Sequence, residues 1–263
     1  MVDIDQAFAC AFARRGTEGG SSIAPSPHLM RRKAGKTGVS PQFVVGTGEP
    51  GQAAFVRLEW SLTINVLECQ HGDRFENLAN LIMEARDRQR LKVLLFTSCH
   101  RAEGRTTLIL TLARALARRS RQTLLVDGDL TSPMLARQLG IRTEYGLDDV
   151  VEHEIALADA LIEAPEDNLS VLPLRAPVVR PHVFLASPNW SCVLARIRRD
   201  FDLILLDSGP LFAGLNSTIL HRAVDAAILV HNLAVTGPDD LLRAREILEA
   251  GGIPLLGLAE TFL

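Results

Sequence analysis

Tyrosine is nearly missing from this sequence: its 263 residues hold one, Tyr145. Aromatic residues make up only 5%, so a core has to be built mostly from Leu, Ile, Val and Ala. The cysteines, Cys10, Cys69, Cys99 and Cys192, are scattered with no closely spaced pair. That spacing excludes a zinc knuckle or a disulfide framework and suggests reduced thiols in a cytoplasmic protein. No uncharged run nears the roughly 20 residues that a membrane-spanning helix needs. The opening MVDIDQAFACAFARR has no basic flank before its apolar part, unlike an export signal. Neither charge sign dominates: 28 Lys and Arg face 31 Asp and Glu. A formal charge of −3 gives no global argument for nucleic acid, which is not expected as a partner.

What is present is apolar and regular. Hydrophobic residues reach 47%, enough for a substantial core, and the length suits one α/β domain with extensions. Residues 1–50 read as a flexible, weakly basic leader. GTEGGSSIAPSPH is poor in core formers, and Arg31, Arg32, Lys33 and Lys36 cluster just after it. Residues 51–263 read as a single domain with its own N-terminal extension. Partial alternation favours a strand within 52–70, and a helical spacing begins at Phe75 and runs through Leu78, Ala79, Ile82 and Ala85. Strands are expected at 92–97, 123–127, 169–174, 203–207, 227–230 and 255–258. Helices are expected at 106–119, 134–139, 155–163, 190–199 and 239–249. Apolar strands separated by amphipathic helices predict a mainly parallel sheet covered on both faces.

The segment LKVLLFTSCHRAEGRTT reads as strand, polar loop and helix start. Phosphate needs many donors at short range, and a tight loop feeding a helix N-terminus supplies backbone N–H groups and the positive end of the helix dipole. The predicted loop is Arg101, Ala102, Glu103, Gly104, Arg105, Thr106 and Thr107. Gly104 stands where a side chain would block the approach. Arg105 would place its charge on the phosphates, and the Thr106 hydroxyl suits Mg²⁺. Asp127 and Asp129, two apart at the end of an apolar strand, share a face and can approach one metal. Asp207 ends a second apolar strand, and ligands of open α/β sheets collect beyond such ends. Loop and acids together predict a Mg²⁺-nucleotide site.

At these residues the chain resembles the MinD/ParA-type P-loop ATPases, and within them the CpsD/CapB-like bacterial tyrosine kinases of capsule and exopolysaccharide synthesis. Their loop T-S-x-x-P-G-E-G-K-T-T is matched by residues 97–107. D-A-D-L-R-x-P is matched by Asp127-Gly128-Asp129-Leu130-Thr131-Ser132-Pro133, G-L-x-D-V by residues 146–150, N-L-x-V-L-P by 168–173 and F-D-x-V-I-x-D-x-P-P by 201–210. The resemblance runs from about Arg74 to Phe262. It implies a three-layer α/β/α P-loop NTPase fold, ATP and Mg²⁺, and a cytoplasmic protein peripheral at the inner face of the plasma membrane. It also implies a membrane-bound polysaccharide co-polymerase or chain-length partner and homo-oligomers. By it, Asp127 assists activation of the attacking group, with Arg105 beside it in catalysis, while Thr106, Asp129 and Asp207 hold Mg²⁺.

The chain departs from the pattern at several points. Ala102 replaces a glycine, which matters if φ there is positive. Arg105 replaces lysine, exchanging a compact ammonium for a planar fork. Thr261 stands where the family has an asparagine associated with adenine. The Arg-bearing oligomerisation motif is indistinct around Glu68 to Asn80, and no cluster of tyrosines stands at the C-terminal end for tail phosphorylation. Two readings stay open: a divergent ATP-binding kinase or ATPase of polymer chain length or export, and a non-catalytic regulator or scaffold that binds a membrane partner. A third, minor reading is a partitioning ATPase with Arg101 in place of a second lysine.

Overall fold

The computed structural model describes residues 54–120, 122–213 and 224–261. The leader predicted over 1–50 lies outside them. Within them, β1 (Ala54–Phe55), α1 (Leu62–Gln89), β2 (Val93–Ser98), α2 (Arg105–Ala117) and β3 (Thr123–Gly128) come first. Next are the short helices α3 (Leu135–Gln138), α4 (Leu147–Glu152) and α5 (Leu157–Ala160), then β4 (Ile162–Ala164) and β5 (Leu169–Leu172). The order closes with α6 (Pro181–Ala186), α7 (Pro188–Asp200), β6 (Leu203–Ser208), β7 (Ala226–His231), α8 (Pro238–Ala250) and β8 (Leu255–Glu260).

The strands form one sheet in the order β1-β4-β5-β3-β6-β2-β7-β8. The run from β5 to β8 is parallel, and β4 alone joins β5 in the antiparallel sense. Alternate side chains of each strand enter opposite layers. Leu94 and Phe96 of β2, Leu125 of β3, and Leu203 and Leu205 of β6 pack with α1 and α2. Val93, Leu95, Leu124, Val126, Ile204 and Leu206 pack with α4, α7 and α8 on the other side. The result is the three-layer α/β/α P-loop NTPase arrangement expected from the sequence.

Two local readings are corrected. The strand favoured over 52–70 shrinks to Ala54–Phe55, and Leu62 onward is helical. Ser61 caps α1 through a bond from the Ile64 N–H at 3.4 Å. Of the apolar residues that alternate from Leu62 to Val66 only Ile64 is buried, and Leu62 and Val66 face solvent. The alternation therefore reflected composition rather than a sheet face. The helix predicted over 155–163 is divided. Only Leu157–Ala160 is helical, and Ile162 and Ala164 point inward from a strand whose intervening Glu163 is half-exposed.

Candidate active site

The loop between β2 and α2 is held in an unusual backbone shape. Ala102 has φ 61° and Gly104 φ 76°, both in the left-handed region. The substitution of alanine for glycine thus falls at a position that does demand positive φ. At Gly104 an added Cβ would come within 3.3 Å of the Thr261 side chain, so glycine is needed for space as well as conformation. Thr261 itself fastens the loop: its hydroxyl donates to the Glu103 carbonyl at 2.7 Å, and its N–H donates to the His231 carbonyl at 2.8 Å.

Glu103 is almost fully buried, with its carboxylate turned into the protein rather than toward the pocket. It accepts from the His100 N–H at 2.6 Å, from the Asn232 N–H at 3.2 Å and from the Thr236 hydroxyl. One donor from the loop itself and two from the segment after β7 fix the middle of the loop against the end of that strand. The preceding Cys99 thiol is inert, pushed up to about 12 by burial and then by the charges of Glu103 and Asp240.

Residues 101–107 line one pocket of about 350 Å³ together with Asp129, Ser132, Met134 and Gln138. Every predicted loop residue is therefore at this pocket. Asp127 and Asp207 lie beneath its wall, opposite one another in the register of β3 and β6. Adjacent strands are about 4.8 Å apart, so two ionised acids there repel strongly. Burial first, then the charge of Asp207, pushes the Asp127 carboxyl up to about 7. Its oxygens accept from the N–H groups of Met134 at 3.1 Å, Leu135 at 3.0 Å and Asp129 at 3.3 Å, which ties β3 to the start of α3. Complete burial also raises Asp207, against the opposing pull of Arg105 and Thr106.

Arg105 does not point at the pocket's open space. Its Nε donates to Asp207 Oδ1 at 2.8 Å, its Nη1 to Ser98 Oγ at 2.9 Å and its Nη2 to Asp129 Oδ2 at 3.3 Å. The Thr106 hydroxyl donates to Asp207 Oδ2 at 2.8 Å. Arg101, half-exposed at the rim, reaches Asp129 Oδ2 at 3.3 Å and Thr131 Oγ1 at 2.8 Å. Asp129 Oδ1 accepts from the Thr131 and Ser132 N–H groups. Every oxygen of Asp129 and Asp207 is thus engaged by a donor of the protein. No group of three or more His, Cys, Asp or Glu among the described residues is arranged to hold a metal ion. The predicted Mg²⁺ set of Thr106, Asp129 and Asp207 is brought together, but in this arrangement it does not fit a divalent cation.

This loop, its helix and the acids at the neighbouring strand ends lie inside a segment, residues 94–249, that matches the AAA domain family. The chain belongs to that family, in the bacterial tyrosine-kinase branch of the MinD/ParA P-loop ATPases. It is 29% identical over 170 residues to the tyrosine-protein kinase CpsD of Streptococcus pneumoniae, covering 64% of this chain and 75% of that one. It resembles the kinase domain of VpsO with a TM-score of 0.67 and 28% identity, over 77% of this chain and 95% of that one. The septum site-determining protein MinD of Pyrococcus horikoshii, solved with Mg-ADP, aligns with a TM-score of 0.53 and 27% identity, over 64% of this chain and 68% of that one.

Several working residues of this AAA-domain site carried no local signal. Asn232 and Thr236 reach Glu103 from about 130 positions away, a distance that no spacing rule bridges. Ser98 stood within the motif, but its role as an acceptor for Arg105 depends on where the guanidinium turns. Asp149, which does not line this pocket, was legible only as a motif letter. Burial pushes its carboxyl up, but the Arg175 fork and the Gly146 N–H prevail and hold it below the ordinary carboxylate value.

Proposed function

We propose that this chain is a divergent ATP-binding protein of exopolysaccharide synthesis, with residues 51–263 as its nucleotide-binding unit and the loop of residues 101–107 as its phosphate site. The observation that carries this reading is the loop itself. Two left-handed residues, Ala102 and Gly104, deliver the chain into α2, whose first-turn N–H groups have no acceptor within the helix. Glu103 and Thr261 hold that shape before any ligand arrives. The tyrosine-kinase relatives support ATP as the nucleotide, and they support a membrane-bound co-polymerase or chain-length protein as partner. On this reading the chain works at the inner face of the plasma membrane and assembles with copies of itself. No described helix is long and apolar enough to cross a membrane.

The output of the site is regulatory: nucleotide occupancy changes how the chain engages its membrane partner and so sets polymer length or export. The engagement of Arg105 with the acids favours this over fast phosphoryl transfer. A second reading, phosphotransfer, is favoured by one observation: the Asp127 carboxyl at about 7 is poised to take a proton near neutrality. Calorimetric titration of the full chain with ATP tests the proposal. Saturable binding at or below millimolar concentration is expected, and no detectable binding in that range sinks it. Turnover lost in Asp127→Asn, in a preparation that still binds ATP, would select the second reading.

A further inference from the structure

Asp129 and Asp207 are nearly inaccessible, with 4% and 1% of their surface exposed. Buried carboxylates at one strand-end face need positive charge within reach. Here that charge is already part of the chain. The Arg105 guanidinium, itself buried, touches both acids and the Ser98 hydroxyl at the same time. Three of its nitrogens are used in three directions. A planar fork can satisfy such a set, whereas a lysine ammonium is a compact point charge that leaves room beside it. The Thr106 hydroxyl is engaged on the same Asp207 carboxylate. A divalent ion could reach these oxygens only by displacing the guanidinium and leaving a buried charge without its partners.

The pocket above remains furnished for an anion. Residues 101–107 line it at the N-terminus of α2, with Arg101 half-exposed at the rim, and the fixed charge of Arg105 sits on the acids below. Resting on the nucleotide-binding reading above, we propose that Arg105 serves as the resident cation of this site, so that the chain takes a nucleotide polyphosphate free of divalent metal. The arrangement makes Arg105 a specificity residue. It neutralises the acids from within, where a loop with lysine leaves them for a metal to neutralise.

The test is the binding of a fluorescent ATP analogue to the full chain with excess EDTA and, separately, with millimolar Mg²⁺. The wild-type Kd is expected to change by less than about threefold between the two conditions. Arg105→Lys is expected to bind at least about tenfold more weakly in EDTA than in Mg²⁺. Ser98→Ala, which removes one anchor of the guanidinium while keeping its charge, is expected to fall between them and serves if the lysine variant does not fold. Mn²⁺ alone, followed by electron paramagnetic resonance, gives a readout without nucleotide. No stoichiometric binding is expected at submillimolar metal for wild type, and one bound ion for Arg105→Lys. Wild-type binding that needs Mg²⁺, or stoichiometric Mn²⁺ on the wild type, overturns the resident-cation proposal while leaving nucleotide binding intact. No binding in either condition removes both.

Discussion

Replacing Asp127 by asparagine should make the protein more stable, and by an amount set by pH. In the folded chain this carboxyl is buried beside Asp207 and pushed up to about 7. In the unfolded chain it titrates near about 3.9. Between those values the folded state holds a proton that the unfolded state has lost, so stability falls as pH rises through this window. A gap of roughly 3 units corresponds to about 4 kcal/mol of stability forgone by about pH 8. Asparagine carries no charge and keeps one oxygen for the Met134 and Leu135 N–H groups. It loses the acceptor that faces the Asp129 N–H at 3.3 Å, a cost of about 1 kcal/mol. Asp127→Asn is therefore expected to gain about 2–3 kcal/mol at about pH 8, or roughly 5–10 °C in Tm. Below about pH 3, where the carboxyl is protonated in both states, the advantage should vanish. Urea melts at closely spaced pH values measure both limbs. An asparagine variant no more stable than wild type at high pH, or a gain that does not vary with pH, would refute the argument that Asp127 is held against repulsion and desolvation.

Other perturbations test the loop and the helical layer. Ala102→Gly should raise stability by up to about 1 kcal/mol, because the left-handed penalty of alanine, about 1–2 kcal/mol, exceeds the entropy that glycine adds to the unfolded chain. Ala102→Val should lower it by more than about 1 kcal/mol in the same urea titration, and a stable valine variant would show that the loop is not fixed at positive φ. Where α1 meets the end of α2, burial raises the Glu76 carboxyl, but its bonds from Arg118 and Arg119 bring it below the ordinary value. Glu76→Gln should therefore cost less than about 1 kcal/mol at neutral pH, and the loss should fade as pH falls through the folded-state value or as salt approaches about 1 M.

Much of the architecture was legible because its signal is local. The strands at 93–98, 123–128, 203–208 and 226–231 are apolar runs, and the helices between them repeat their buried positions at helical spacing. The segment from Leu62 to Cys69 misled because its alternation sits on a helix that leaves Leu62 and Val66 outside. Strand β4 escaped because three residues, Ile162–Ala164, carry too short a pattern to outweigh the helical stretch before them. The candidate loop was found as a motif, including the position where Ala102 must bear a left-handed backbone. The use of Glu103 as an inward latch was not, since its partners Asn232 and Thr236 come from the far end of the fold.

The order of residues by itself determined the alternation of strands and helices, the glycine-bearing loop at a strand end, and the acids placed to surround it. Those follow from side-chain period and backbone freedom, which neighbouring residues fix between themselves. Only the tertiary structure decided where the charge of Arg105 goes. A long side chain at the pocket floor can reach outward or inward. Two buried acids, Asp129 and Asp207, with Asp127 opposite Asp207 in the strand register, make the inward position the one that lowers the electrostatic free energy.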